Sequence, residues 1–348
     1  MNLKVLSLFS GCGGLDLGVE GGFLVHKECI HATSDTPWIC LPKNRFNVIF
    51  ANDIMAQSNV VWSSNFTGTF QLKSIADLLN ENFQFPKANL VIGGFPCQDF
   101  SVAGKREGLK TQRGSLYHCM TEVIQQVSPE AFIAENVYGL FYIPGVREKI
   151  TSDFEQIGYT VFSFLLFSNE YGVPQIRRRV FFIGLKTEAL KRKVSINEII
   201  PPKTHQKFVS VGTIFKDLQE PEYTLDKEQQ IYSKSKFYGS QWEGNREVDL
   251  SLPSPTLRAS GPEFRRLSKE HGGKHLDELK DGKIERRLTV REYARIQTFP
   301  DDFILMFNKN NEEIISMTSA YRLIGNAVPP LLAYHVSKRL DELWFDIF

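Results

Sequence analysis

The first half of the chain alternates short β-rich apolar runs with helix-like stretches, and no other feature restricts the fold as strongly. Runs at residues 4–9, 48–51, 90–92 and 131–134 are separated by segments such as 116–127 that are patterned as helices. That alternation predicts an α/β fold built on a doubly wound, mostly parallel sheet. Two further runs, at 161–166 and 180–184, extend the sheet before the composition changes near Lys186. From there to Arg287 the pattern is irregular and rich in Pro, Ser, Lys and Arg, which predicts a smaller domain of loops and strands. Helical patterning returns over 289–297 and again over 330–343, where a proline sits in the first turn. The expected organisation is a large domain over 1–185, a smaller one over 186–286, and a return to the first over 287–348.

At 348 residues and 42% hydrophobic, the chain has ample material for a large core and a smaller companion. Its net charge of +1 gives no global basic surface, so a polyanionic partner must meet a local concentration of cations. The five cysteines, at 12, 29, 40, 97 and 119, form no Cys-x-x-Cys pair, as suits a reduced, cytoplasmic protein. Residues 1–4 lead directly into a strand pattern. No apolar run approaches the roughly twenty residues that span a bilayer, so no membrane association is expected.

The run Gly93-Gly94-Phe95-Pro96-Cys97-Gln98-Asp99-Phe100-Ser101 follows the strand at 90–92 and sets a cysteine on a turn of glycines and a proline. A lone cysteine is ordinarily a small buried hydrophobe. Here Pro96 fixes the approach and the glycines admit a ligand close to the backbone, which suits a nucleophile. Phe9-Ser10-Gly11-Cys12-Gly13-Gly14 closes the first strand ahead of a helix, where a doubly wound sheet binds an adenosine cofactor. The spacing is not the Gly-x-Gly-x-x-Gly of dinucleotide enzymes, and taken alone it is equally a structural turn. Asp53 ends the second strand, where an acid accepts hydrogen bonds from ribose hydroxyls and Ile54 is free to lie on an adenine ring; otherwise Asp53 is a helix cap.

Glu135-Asn136-Val137 ends another strand and brings a carboxyl group to the same sheet edge as Cys97. Burial would raise its pKa and let it deliver a proton. A thiolate adding to C6 of a pyrimidine needs charge neutralised at the ring, and an acid at N3 does this while C5 becomes nucleophilic. Gln175-Ile176-Arg177-Arg178-Arg179 supplies guanidinium forks suited to phosphate and to a ring carbonyl.

These blocks, in this order, resemble the motifs of the C5-cytosine-specific DNA methyltransferase family of the bacterial restriction–modification type. Residues 9–14 resemble its first cofactor motif, 93–101 its nucleophile motif, 135–137 its acid motif and 175–179 its Gln-x-Arg-x-Arg motif. Residues 287–297 resemble the helix that supports the family's recognition domain, and 325–330 its last, cofactor-facing motif. The resemblance implies a sheet of the S-adenosyl-methionine methyltransferase type over 1–185 and 287–348, with 186–286 as target-recognition domain. It implies S-adenosyl-L-methionine as methyl donor and a cytosine flipped out of duplex DNA, linked through C6 to Cys97 during transfer.

Carried over by position, Cys97, Glu135, Arg177 and Arg179 are expected to be catalytic. Phe9, Gly11, Cys12, Gly14, Asp53, Ile54, Ile75, Gly94, Pro96, Leu116, Asn326 and Ala327 are expected at the cofactor. Ser74-Ile75 stands where the family commonly has Asp-Ile, so the acceptor near the adenine is either the Ser74 hydroxyl or a group from elsewhere in the chain. Residues 255–261 resemble the Thr-Leu element of the recognition domains. On that basis Ser101, Gln175, Thr256, Leu257, Arg258, Arg265 and Arg266 are expected at the DNA, the arginines reaching guanine edges.

The expected partner is double-stranded DNA, bound by a monomer that works alongside a restriction endonuclease. The nearest alternative is a C5-methyltransferase acting on RNA, since the same sulfur and carboxyl chemistry serves either polymer. A DNA-binding module without chemistry is disfavoured because every reacting group is present, and a nicotinamide dehydrogenase because its glycine spacing is missing. The interval 24–46 is longer than the family's usual link and holds His26, Cys29, His31 and Cys40. Their spacing matches no standard finger, and no metal is expected.

Overall fold

The computed structural model describes residues 2–96, 116–234, 247–260, 281–282 and 284–348. Seven strands form one sheet in the order β5-β4-β1-β6-β7-β9-β8. These are β1 (Leu3–Leu8), β4 (Phe46–Asp53), β5 (Thr69–Leu72), β6 (Leu90–Gly94), β7 (Ala131–Val137), β8 (Tyr159–Phe167) and β9 (Arg178–Lys186). Strands β5, β4, β1, β6 and β7 run parallel, as the alternation requires. β9 is antiparallel to both β7 and β8. Only residues 168–177 join β8 to β9, too short a link to carry a crossover helix, so the chain must turn back on itself there.

The sheet is covered on both faces, which is why its strands read as continuous apolar runs rather than alternating ones. One face carries helices α3 (Ile75–Asn80), α4 (Leu116–Val127) and α5 (Val146–Gln156), packed on Phe132, Val180 and Phe182. The other carries α1 (Gly14–Glu20) and the C-terminal helix Pro330–Ile347. These two helices approach so closely that a Cβ at Gly18 would lie 2.4 Å from Cβ of Ala333 and 2.4 Å from the carbonyl oxygen of Pro330. Gly18→Val should therefore destabilise the fold by about 1–3 kcal/mol or more through overpacking. Denaturant titration checks this, and an unchanged midpoint would mean that the helices can part at no cost.

Between β9 and the helix Val290–Ile296 the described residues contain short helices, Ile196–Ile199, Val211–Phe215 and Lys227–Gln230, and no strand where loops and strands were expected. Local caps account for them. Glu198 accepts from the backbone N–H of Ser195 at 2.9 Å, and Asp226 from that of Glu228 at 2.9 Å. Ile199, Val209, Val211, Ile214, Phe215 and Val248 belong to the same apolar cluster as α1 and the C-terminal helix.

Helix Val290–Ile296 is buried along its whole length in spite of its charges. A capping box starts it: Thr289 Oγ1 accepts from the N–H of Glu292 and Glu292 Oε2 from that of Thr289. Its arginines reach outward to carboxylates of the preceding segment, Arg291 to Asp226 at 2.6 Å and Arg295 to Asp217 at 2.6 Å. The interval 24–46 forms a hairpin of β2 (Leu24–His26) and β3 (Trp38–Cys40) that joins this arrangement. Trp38 lies under the Arg295 guanidinium, and His26 Nε2 stands 3.8 Å from Asp217. The insertion is thus a brace. Its other candidate ligands go separate ways: Cys29 into the core, His31 against the His205 ring, and Cys40 to the surface.

Candidate active site

β1 is flanked by β4 and β6, with β4 and β5 added on one side and β6 and β7 on the other. This reversal of strand order opens a crevice beyond the carboxyl ends, the place where open α/β sheets bind ligands. Phe9–Gly14, Asp53-Ile54, Gly94–Pro96 and Glu135–Val137 all lie along that edge.

The first turn is tied to the second strand before any ligand is considered. Ser10 donates its backbone N–H to the carbonyl of Asn52, and its hydroxyl accepts from the N–H of Asn52 and donates to Ser7 Oγ. Asp53 Oδ2 accepts from the N–H of Gly11 at 2.9 Å and Oδ1 from that of Met55 at 2.9 Å. A carboxylate has about four lone-pair sites, so acceptor capacity remains. Gly11 has φ +56° and open space where a side chain would stand, and Ile54 is 72% exposed. An open cradle with an acid and an exposed apolar side chain at its rim fits an adenosine group. Asn326 is exposed at the same turn region, and Ala327 lies 3.0 Å from where a Cβ of Gly14 would be.

Several residues expected at the cofactor have their side-chain positions packed within the protein. Cys12 is buried with its thiol on the carbonyl of Leu323, and burial pushes its pKa up to about 12. Gly14 is crowded by protein, since a Cβ there would meet the Val328 carbonyl at 2.5 Å. Ile75 opens α3, and its side chain is buried in the core with those of α4. Beneath the turn, unforeseen from the sequence, the fully buried Asp16 accepts from Trp62 Nε1 at 3.0 Å, and burial raises it to about 7.

Cys97 and Ser101 lie outside the described residues, and so do Arg265 and Arg266. What leads to Cys97 is well defined. Gly94 pairs in register with Glu135 across β6 and β7, and a Cβ at Gly94 would stand 3.0 Å from Glu135 Oε2. Asn136 Nδ2 donates to the carbonyl of Phe95 at 2.9 Å, fixing the turn that ends in Pro96. Asn136 is legible as part of the 135–137 run but not in this role, because its partner is distant along the chain.

Glu135 is buried and forms an ion pair with Arg179, whose Nε lies 2.6 Å from Oε1. Burial raises the carboxyl pKa; Arg179 and then Arg177 hold it down in part. The carboxyl is thereby poised to keep or give a proton in a dry site.

Arg177 behaves differently from the expectation of a reacting group. It is 1% exposed, and its guanidinium donates to the carbonyls of Leu257, Gly325 and Ala327 at 3.0–3.1 Å. Gln175 is likewise buried: its Oε1 accepts from the N–H of Leu257 and its amide donates to Gln297. Leu257 is buried as well, its side chain in the core. These residues form a polar hub that ties 256–258 to 325–327, because buried carbonyls must find donors. The hub leaves Thr256 and Arg258 exposed, with Thr256 Oγ1 donating to the carbonyl of Ile176 and the Arg258 backbone held by the hydroxyl of Tyr293.

The arrangement defines a class: an enzyme of the doubly wound sheet, with an acid beside the exit of the strand that precedes Cys97. The profile of the C-5 cytosine-specific DNA methylase family matches residues 3–342, and the chain belongs to that family. Among curated relatives, the type II methyltransferase M.BsuRI of Bacillus subtilis is 35% identical over 96% of this chain and 78% of its own length. M.BspRI of Lysinibacillus sphaericus, also a type II methyltransferase, is 33% identical over 99% of this chain and 82% of its own length. The solved Dnmt2 methyltransferase of S. pombe has the same fold, with TM-score 0.67 at 18% identity over 99% of each chain.

Proposed function

We propose that the enzyme transfers a methyl group from S-adenosyl-L-methionine to C5 of a cytosine flipped out of double-stranded DNA, in the setting of a restriction–modification system. The observation that carries this reading is the buried Glu135–Arg179 pair beside Gly94, on the strand that leads to Cys97. Cys97 adds its sulfur to C6, and Glu135 supplies the proton that neutralises N3, so that C5 gains the electron pair of the C5–C6 bond. The bound cofactor supplies an electrophilic methyl group to that carbon. A water or hydroxide reaching C5 takes its proton, the electron pair re-forms the C5–C6 double bond, the sulfur leaves as thiolate, and N3 returns its proton to Glu135. Asp53, Gly11, Ile54, Asn326 and Ala327 are the residues proposed to hold the cofactor. Arg179 positions Glu135, and Asn136 positions the turn before Cys97. The enzyme is taken to act as a cytoplasmic monomer, paired in function with an endonuclease.

The test is transfer from labelled cofactor to duplex DNA and to a transcribed RNA of the same sequence, followed by mapping of the modified cytosines. Label in the duplex is expected; label confined to the RNA would overturn the assignment of substrate. Residues 186–286 are proposed to read the target, with Arg258 at the rim built by the hub. Arg258→Ala should cost about 1–3 kcal/mol at one base pair and relax selectivity there. Selection from randomised duplexes checks this, and a loss equal for all sequences would make Arg258 a phosphate contact instead.

A further inference from the structure

Arg178 opens β9 and, one residue before Arg179, projects from the opposite face of the strand. Its two neighbours are buried and engaged within the protein, Arg177 by carbonyls and Arg179 by Glu135. Arg178 is exposed, and among the described residues no carboxylate lies within ion-pair reach of it. It is nonetheless held. Its guanidinium stands 5.5 Å from the ring centroid of Tyr138 and 5.2 Å from that of Phe167. The sheet register puts the rings there: Phe167 pairs with Arg178 across β8 and β9, and Tyr138 follows Val137, the last β7 residue paired with β9.

Such rings engage the π face of a guanidinium and leave its N–H donors, which lie in the plane, for an oxyanion. The position is continuous with the site. Tyr138 lies three residues beyond Glu135, and Ile176, whose carbonyl accepts from Thr256, lies two residues before Arg178. Val137, Tyr138, Tyr142 and Ile176 are all exposed along this edge. A large polyanion seated over Glu135 and Thr256 therefore passes over Arg178.

We propose that Arg178, oriented by Tyr138 and Phe167, binds a backbone phosphate of the duplex beside the reacting cytosine. This rests on the DNA methyltransferase reading. A neutral aromatic shelf beneath an uncompensated guanidinium favours a single phosphate over a base edge, because the charge is fixed in place without an internal acceptor.

The test is equilibrium binding of short randomised-sequence duplexes to the wild type, Arg178→Ala, Arg178→Lys and Tyr138→Ala, as a function of salt. One phosphate contact contributes about 0.9 to the slope of log affinity against log salt, so Arg178→Ala should lower the slope by about 0.9. The same variant should bind about eightfold more weakly at 0.1 M salt, with the difference vanishing near 1 M. Arg178→Lys should restore the slope, and Tyr138→Ala should weaken binding while keeping it. An unchanged slope in Arg178→Ala, or a loss confined to particular sequences, overturns the proposal. Methyl transfer by the wild type is measured on the same duplexes: if it is present, such a result removes only the role of Arg178, and if it is absent, the enzymatic reading falls as well.

Discussion

Cys97→Ser should abolish methyl transfer while leaving duplex binding within about tenfold of the wild type, because a serine hydroxyl does not ionise near neutrality and cannot form the C6 bond. The scaffold before this position does not depend on the sulfur. Gly94 is fixed by its pairing with Glu135, and the Phe95 carbonyl by Asn136. No described cysteine is placed to substitute. Cys12 and Cys29 are buried and pushed up to about 12, so both remain thiols, Cys119 is on the buried face of α4, and Cys40 lies on the β2–β3 hairpin, apart from the seven-stranded sheet. A duplex carrying 5-fluorocytosine should trap a covalent complex with the wild type, since fluorine cannot leave as a proton, and none with the variant. Retained methylation in Cys97→Ser, or an adduct with it, would identify another nucleophile and remove the mechanism.

Legibility in the sequence followed the range of the interactions. The parallel strands were legible because each is a local apolar run covered on both faces, and the motif turns because glycines and Asp53 fall at strand ends. The direction of β8 and β9 was not, since apolar runs look alike in either orientation and only the short link between them decides it. Arg177, Gln175 and Leu257 were found as positions but not as roles. An arginine that binds phosphate and one that binds carbonyls are the same residue type, and the carbonyls of Gly325 and Ala327 are brought to Arg177 only by the fold. The roles of Asn136, Asp16 and the brace at 24–46 escaped for the same reason. Each acts on a partner far along the chain: Phe95, Trp62, and the Asp217–Arg295 pair.

Glu135→Gln should lower the single-turnover rate of methyl transfer by at least about a hundredfold with a smaller effect on cofactor affinity, because proton delivery at N3 is needed only as the adduct forms. Glutamine preserves the size of the side chain but has no proton to give, and it leaves Arg179 without its carboxylate in a buried site. A thermal melt of the variant therefore accompanies the kinetics, so that loss of fold is not taken for loss of chemistry. The pH profile separates the two further. Burial raises the pKa of Glu135 from its ordinary value, and in the proposed mechanism the protonated acid is the active form. The wild-type rate should then fall as pH rises through that raised pKa, while the rising limb reports the thiol of Cys97 losing its proton. In Glu135→Gln the falling limb should disappear and the rising limb remain. A folded variant that keeps the wild-type rate, or that keeps the falling limb, would assign the proton to another group.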